Sequence, residues 1–300
     1  MTPLSTLPTP EVYPSAFAEF WRSFSANKGA LAGLMVFCLM LLAALLAPVL
    51  APHNPVQQFR DALLTPPAWS AGGSSQFLLG TDELGRCIAS RLMYGAQISL
   101  LIAFMSVLLS MIPGVVLGLL AAFYQDFISP AIMRSMDVLM ALPGVLLAIC
   151  IITILGPGLV NTMIAIAVGT LPGYTRLARA AALGELQKEY VAASRVAGAR
   201  TPRLMFNTIL PNCMPPLIVN ATLGFSSAIL EVAALGFLGL GVQAPTAEWG
   251  TMLSSARDYI HLAPWVVTIP GLAILLSVLA INLMGDGLRD ALDPRLKRAG

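Results

Sequence analysis

The sequence predicts an all-α integral membrane protein with six transmembrane helices. Apolar residues make up 57% of the chain and charged residues only 11%, against about 25% charged in soluble domains. Mean hydropathy is +0.80. Several runs reach the ~20 apolar residues that cross the hydrocarbon core of a bilayer. Helices satisfy their own backbone hydrogen bonds, which lipid cannot do for them.

The spans read as residues 29–51, 97–123, 132–155, 159–176, 214–242 and 264–284. Ahead of the first lies FAEFWRSF, in which Phe17, Phe20, Trp21 and Phe24 form one helical stripe. That pattern predicts an interfacial helix lying flat at headgroup depth. The segment MTPLSTLPTPEVYPS lacks a basic region followed by an apolar core, so no cleavable signal is expected and the first run stays as an anchor. Residues 52–96 are rich in Pro, Gly and Ser and read as an external segment. Within them Thr81 is the expected N-cap of a helix opening with Asp82 and Glu83. Pro113-Gly114, Pro143-Gly144, Pro172-Gly173 and Pro270-Gly271 each permit a kink. Gly236, Gly239 and Gly241 suit close helix approach.

Lysine and arginine set the orientation. With the N-terminus inside, only Arg60, Arg86, Arg91 and Arg257 of the 17 basic residues fall outside. Both termini are then cytoplasmic. The chain divides into a cytoplasmic start with its interfacial helix (1–28), the first span (29–51), the extracytoplasmic segment (52–96), a transmembrane core (97–286) and a cytoplasmic tail (287–300).

Chemistry-bearing residues are sparse. Cys38, Cys87, Cys150 and Cys213 form no CxxC or Cys/His cluster, so neither a disulfide framework nor a metal is expected. His53 and His261 border apolar runs and read as wet interfacial side chains. GFSSA lacks the second glycine of a nucleophile turn, and HExxH is absent, which argues against an enzyme. No GxxxxGK[ST] loop is present to cradle ATP. Nothing in the composition points to nucleic acid. Two acids fall within spans, where a charge faces a cavity or a partner. Asp137 lies three residues from Arg134 and reads most simply as its i,i+3 ion-pair partner, with the substrate pathway as the alternative. Glu231 has no basic neighbour in sequence and is a candidate for the pathway or a partner contact. Kinked helices and buried acids also suit a secondary transporter.

One polar island interrupts the core: QKEYVAASRVAGARTPRLMFNTILPN, residues 187–212. It reads as two short helices around an elbow. The first covers about 184–197, Gly198 supplies the turn, and Thr201-Pro202 opens the second as N-cap and first residue. Leu204, Met205 and Thr208 share a face, and Pro211 returns the chain to the membrane.

This island resembles the EAA loop of ABC-importer membrane subunits. Ala192, Ala193 and Ser194 stand in the first triplet, followed by Gly198 and Ala199. Thr208 stands in the isoleucine place, and Leu210-Pro211 ends the motif. Glu189 precedes the triplet as in the peptide-transport branch. LLGTDELGRCIASRLMYGAQISL, AALGFLGLGVQAPTAEWGTML and GDGLRDALDPRLK are similar to the C-type permeases of the peptide/nickel family, and FRDALLTPPAW to its dipeptide-transport members. The resemblance implies a type I importer (MetI-like) permease fold in the cytoplasmic (inner) membrane. It implies a second, B-type permease as heterodimer partner, two ABC ATPase subunits that bind the ATP, and an extracytoplasmic peptide-binding protein. The chain itself would need no cofactor. Glu189, Ala192, Ala193, Ser194, Gly198, Ala199, Thr208, Leu210 and Pro211 would meet the ATPases, and the outer loop QAPTAEWGTML, with Trp249 as contact or belt aromatic, would meet the binding protein. Within the family, nickel, haem or oligopeptides are the alternative cargoes.

Overall fold

A computed structural model describes residues 15–292. The leading segment and the basic tail with Arg295, Lys297 and Arg298 lie outside the described residues. Helix α1 (Ala16–Ala26) starts on Ser15, whose side chain accepts from the Ala18 N–H at 3.3 Å. Asn27 ends it and caps α2 (Lys28–Leu45), accepting from the Ala30 N–H at 3.1 Å. A short turn, α3 (Ala47–Leu50), extends this span. The aromatic stripe of α1 is divided: Phe24 is buried with Ala30 and Ala291, while Phe17 and Trp21 stay exposed.

Residues 52–87 form a knot of turns rather than a loose loop. The Thr81 hydroxyl donates to the Ala62 carbonyl at 2.5 Å and accepts from the Thr65 N–H at 2.8 Å. Thr81 bridges Cys87. It is therefore not an N-cap, because its oxygen already holds two backbone groups of the preceding turn. Asp82 accepts from the Leu84 and Arg86 N–H groups and pairs with Arg86 at 2.6 Å. Arg91 reaches the same carboxylate at 3.4 Å. His53 is not a wet interfacial side chain either. It packs with ring centroids 5.1 Å from both Phe59 and Phe77, leaving Nδ1 buried without a partner.

Helix α4 (Ile88–Phe123) begins once that knot is closed, nine residues earlier than position 97. The expected 132–155 span is two helices, α5 (Ile128–Leu139) and α6 (Gly144–Leu155), bent by 87°. Pro143 has no N–H to continue the ladder and pushes its predecessor out of helical geometry. Pro113, Pro172 and Pro270 instead sit inside continuous helices: α4, α7 (Leu159–Leu186) and the last helix, respectively. After α7 come α8 (Glu189–Val196), α9 (Thr201–Arg203), a π-helical turn (Leu204–Ile209) and α10 (Leu210–Phe237). Then α11 (Trp249–Ala256) folds back onto the bundle before α12 (Trp265–Leu292).

Among the described residues, four helices are long and apolar enough to cross a membrane: α2, α4, the Thr201–Phe237 rod and α12. The bent α5–α6 pair makes five if it counts as one span. Length and composition thus fall short of the six expected. Helix α7 has the length, but Asn161, Thr162, Thr170, Thr175 and Arg176 dilute its apolar half.

The bundle closes through small residues, which replace the hydrophobic drive that lipid removes. Pairing is most extensive between α4 and α7. A Cβ on Gly118 would lie 2.5 Å from the Thr175 carbonyl and 2.6 Å from the Ala178 Cβ, and one on Gly114 would lie 2.7 Å from the Tyr174 Cβ. On α2, Gly33 lies as tightly against Ala280 and Leu283 of α12.

A second lock joins α4, α10 and α11. Glu248, 1% exposed, caps α11 by accepting from the Gly250 and Thr251 N–H groups at 2.7 and 2.9 Å and from the Ser99 hydroxyl at 3.1 Å. Burial pushes its carboxyl above the ordinary range, and the three donors oppose that shift. A Cβ on Gly236 would fall 2.5 Å from Glu248 Oε2, so α10 approaches as only glycine permits. Trp249 is 1% exposed and its Nε1 donates to the Leu92 carbonyl at 3.1 Å. It is neither a surface contact nor a belt aromatic, because α11 turns it into the core.

Gly118→Leu should lower the apparent unfolding midpoint of the detergent-purified protein, at a cost of about 1–3 kcal/mol or more for overpacking. Glu248→Ala should lower that midpoint further than Glu248→Gln. It strands three donors, each worth about 1–3 kcal/mol when buried unpaired, whereas Gln keeps an acceptor. Equal midpoints for Glu248→Ala and the parent would refute the cap.

Candidate functional site

The polar island folds into a hairpin with its own small core. Helix α7 runs to Leu186, so the expected first helix is split, and α8 starts afresh at Glu189. Glu185 holds the corner, accepting from Lys188 Nζ and the Tyr190 hydroxyl, each at 2.7 Å. Burial raises the Glu185 carboxyl, but these two hydrogen bonds and the Lys188 charge outweigh it and leave it below the usual range. Tyr190 is pushed up to about 12, by burial first and then by its bond to Glu185.

Helix α8 ends in a Schellman turn. The Gly198 N–H donates to the Arg195 carbonyl at 2.9 Å, and the Ala199 N–H to that of Ser194 at 3.1 Å. Gly198 has φ +82°, a region that costs other residues roughly 1–2 kcal/mol. Nothing lies within 4 Å of where its Cβ would be. The elbow is therefore open to an incoming surface.

The return strand of the hairpin departs from the expected pattern. Arg200, not Thr201, occupies the cap position, and Thr201 and Pro202 are the first helical residues. Pro211 cannot donate, and its ring excludes an ordinary helical bond from the preceding turn. The Leu210 N–H reaches back five residues to the Met205 carbonyl instead, in a π turn. That register buries Leu204, Met205 and Ile209 and leaves Thr208 half-buried. With Val191 these side chains pack on Leu119 and Ala122 of α4 and on Ala178 and Ala182 of α7.

The outer face carries most of the residues singled out from sequence. Glu189, Ala192, Ala193, Gly198 and Pro211 are exposed, whereas Ser194, Ala199, Thr208 and Leu210 are half-buried against the hairpin core. The Ser194 hydroxyl donates to the Tyr190 carbonyl at 2.9 Å. Sequence reasoning missed Val196, which projects from the tip with 91% of its surface exposed. Its signal was a β-branched apolar residue in a run of Ala, Ser and Gly next to the elbow.

The two membrane acids differ. Asp137 pairs with Arg176 of α7 at 2.6 Å and not with Arg134. The α5–α6 bend sets α5 against α7, which brings the partner across helices rather than along one. Both members remain about half exposed. Glu231 lies in α10, half-buried, without a hydrogen-bond or ion-pair partner among the described residues. The structure does not bring Glu231 and Asp137 into one cluster.

Comparison with known proteins agrees with this architecture. Residues 114–298 match the binding-protein-dependent transport system inner membrane component family. Residues 15–67 match the N-terminal transmembrane domain of oligopeptide transport permease C. The di/tripeptide transport system permease protein DppC of Pseudomonas aeruginosa (strain UCBPP-PA14) is 66% identical over 288 residues, 96% of this chain and 95% of that protein. The dipeptide transport system permease protein DppC of Escherichia coli (strain K12) is 57% identical over 280 residues, 93% of each. The inward-facing MetNI methionine ABC transporter, in its CY5 native crystal form, superposes with a TM-score of 0.55 at 20% identity. The match covers 67% of this chain and 96% of that one, and it speaks for the fold alone. The family match runs from Gly114, in the last third of α4, through α7, the hairpin and α10 to α12, and by it this chain belongs to the inner-membrane components of binding-protein-dependent transport systems.

Proposed function

We propose that the chain is the C-type permease subunit of an ATP-driven importer that carries dipeptides or short peptides. The observation that carries the cargo is the 66% identity, over nearly the whole chain, to a permease of di- and tripeptides. The open hairpin elbow supports the coupling. In this reading α7 also crosses the bilayer, giving six spans, both termini in the cytoplasm and the hairpin on the cytoplasmic face, as the basic residues favour. A B-type permease supplies the other half of the conduit. Two ABC ATPases bind the ATP, for which this sequence has no phosphate loop. A peptide-binding protein delivers cargo from outside.

The hairpin is the coupler. Its exposed Ala192, Ala193, Val196 and Gly198 enter a cleft on an ATPase, with Glu189 at the rim. Its buried face is fixed to α4 and α7, so displacement of the tip moves both helices as one body. ATP favours the closed ATPase pair, and only that difference in affinity between states shifts the bundle. The permease conducts but performs no covalent chemistry.

Gly198→Asp should abolish peptide uptake and substrate-stimulated ATPase activity in the reconstituted complex while leaving membrane insertion intact. Val196→Asp should weaken ATPase co-purification in the same preparations. Wild-type coupled turnover in the Gly198 variant would eliminate the docking role.

A further inference from the structure

On α10 the residues at spacings of four, three, four and four (Pro216, Asn220, Leu223, Ser227 and Glu231) fall on one face. All five are exposed or half-exposed in this chain. The stripe holds an amide, a hydroxyl and a carboxylate, groups that transmembrane helices turn towards water or a partner and away from lipid. At its hairpin end Pro216, Asn220 and Leu223 line a cavity of about 470 Å³ together with Leu177 of α7 and Arg289 and Leu292 of α12. That volume lies within the range of small-molecule sites. Arg289 is exposed and has no ion-pair partner among the described residues. At the other end stands Glu231, also unpartnered. The stripe is thus acidic at one end and basic at the other.

We infer that this face of α10 lines the conduit and offers a zwitterionic peptide two successive stations: the Glu231 carboxylate for its ammonium group, and the Asn220–Arg289 cavity for its carboxylate. The inference rests on the importer reading above. Distance makes the stations successive. Asn220 and Glu231 are separated by about 17 Å along the helix, whereas an extended dipeptide spans about 7 Å. One molecule cannot touch both ends, so each station is met in turn and neither traps the cargo by both termini. Ser227 supplies a hydroxyl between them. Its own bond, at 3.3 Å, is to the Leu223 carbonyl of the same helix, which leaves the oxygen free to accept.

The test uses the assembled importer in proteoliposomes, in a background where the exposed Cys38 and Cys150 are replaced by alanine. Single Asn220→Cys and Ser227→Cys variants are treated with a charged methanethiosulfonate, which reacts only where a thiolate meets water. Both should label about tenfold faster than Ile218→Cys, which lies on the opposite face of α10, and dipeptide with its binding protein and ATP should slow the labelling. Glu231→Gln should cut dipeptide uptake about tenfold while keeping ATPase stimulation by the loaded binding protein, and Glu231→Asp should restore most of the uptake. Labelling of both positions no faster than Ile218→Cys means the stripe is packed against the second permease or against lipid, and overturns the conduit assignment. Wild-type uptake by Glu231→Gln overturns the ammonium station. If the parent complex imports no dipeptide at all, the cargo reading itself fails, and the labelling pattern still separates that failure from a dry stripe.

Discussion

The approach of α4 to α7 at Gly114 and Gly118, with no side chain between the backbones, is the contact on which the rest of the molecule depends. In a bilayer nothing expels apolar side chains from their solvent, so helices hold by dispersion contact, and dispersion falls away within an ångström of separation. Glycine on α4 lets the Thr175 carbonyl and Ala178 seat directly on it. That seat places Leu119 and Ala122 beside Ala178 and Ala182, forming the platform that receives Val191, Leu204, Met205 and Ile209. Were the two helices farther apart, the hairpin would have no floor.

The hairpin is rigid where it meets the bundle and bare where it does not. Glu185, Tyr190 and Lys188 fix its entrance, the Schellman turn fixes its elbow, and the π turn fixes its exit. What these leave outside at the elbow is open: alanines, a glycine without neighbours and one projecting valine, flanked by the exposed charges of Glu189, Arg195 and Arg200. The small apolar tip suits insertion, since few side chains there have to be ordered, and the flanking charges can stay at the rim. At the opposite end the Glu248 cap and the Asp82–Arg86–Arg91 knot do comparable work, tying the loops to α4 so that the ends of the bundle move with its middle.

Much of this was readable in advance. The apolar runs located every long helix, because a bilayer imposes a length on any helix that crosses it. Gly198 was legible as an elbow, since few other residues adopt a positive φ so readily, and Pro143 broke its helix as an imino acid should. Other readings failed for local reasons. Thr81 looked like a cap because the residues after it are acidic, but its hydroxyl was taken by the chain before it. Arg134 is the nearer partner of Asp137 along one helix, yet the bend at Pro143 brings Arg176 to it across two.

The sequence by itself determined that the chain is helical and membrane-embedded, where its polar island lies, and which family it belongs to, because hydropathy, backbone constraints and motif spacing are all local properties. Tertiary structure alone decided which faces are buried: that Trp249 is core and not surface, that Val196 is surface and not core, that Asp137 meets Arg176, and that Asn220, Ser227 and Glu231 share a stripe with Arg289 at its foot. Those outcomes depend on how helices far apart in sequence approach and turn against one another, and glycines and prolines set that geometry only once their neighbours are in place.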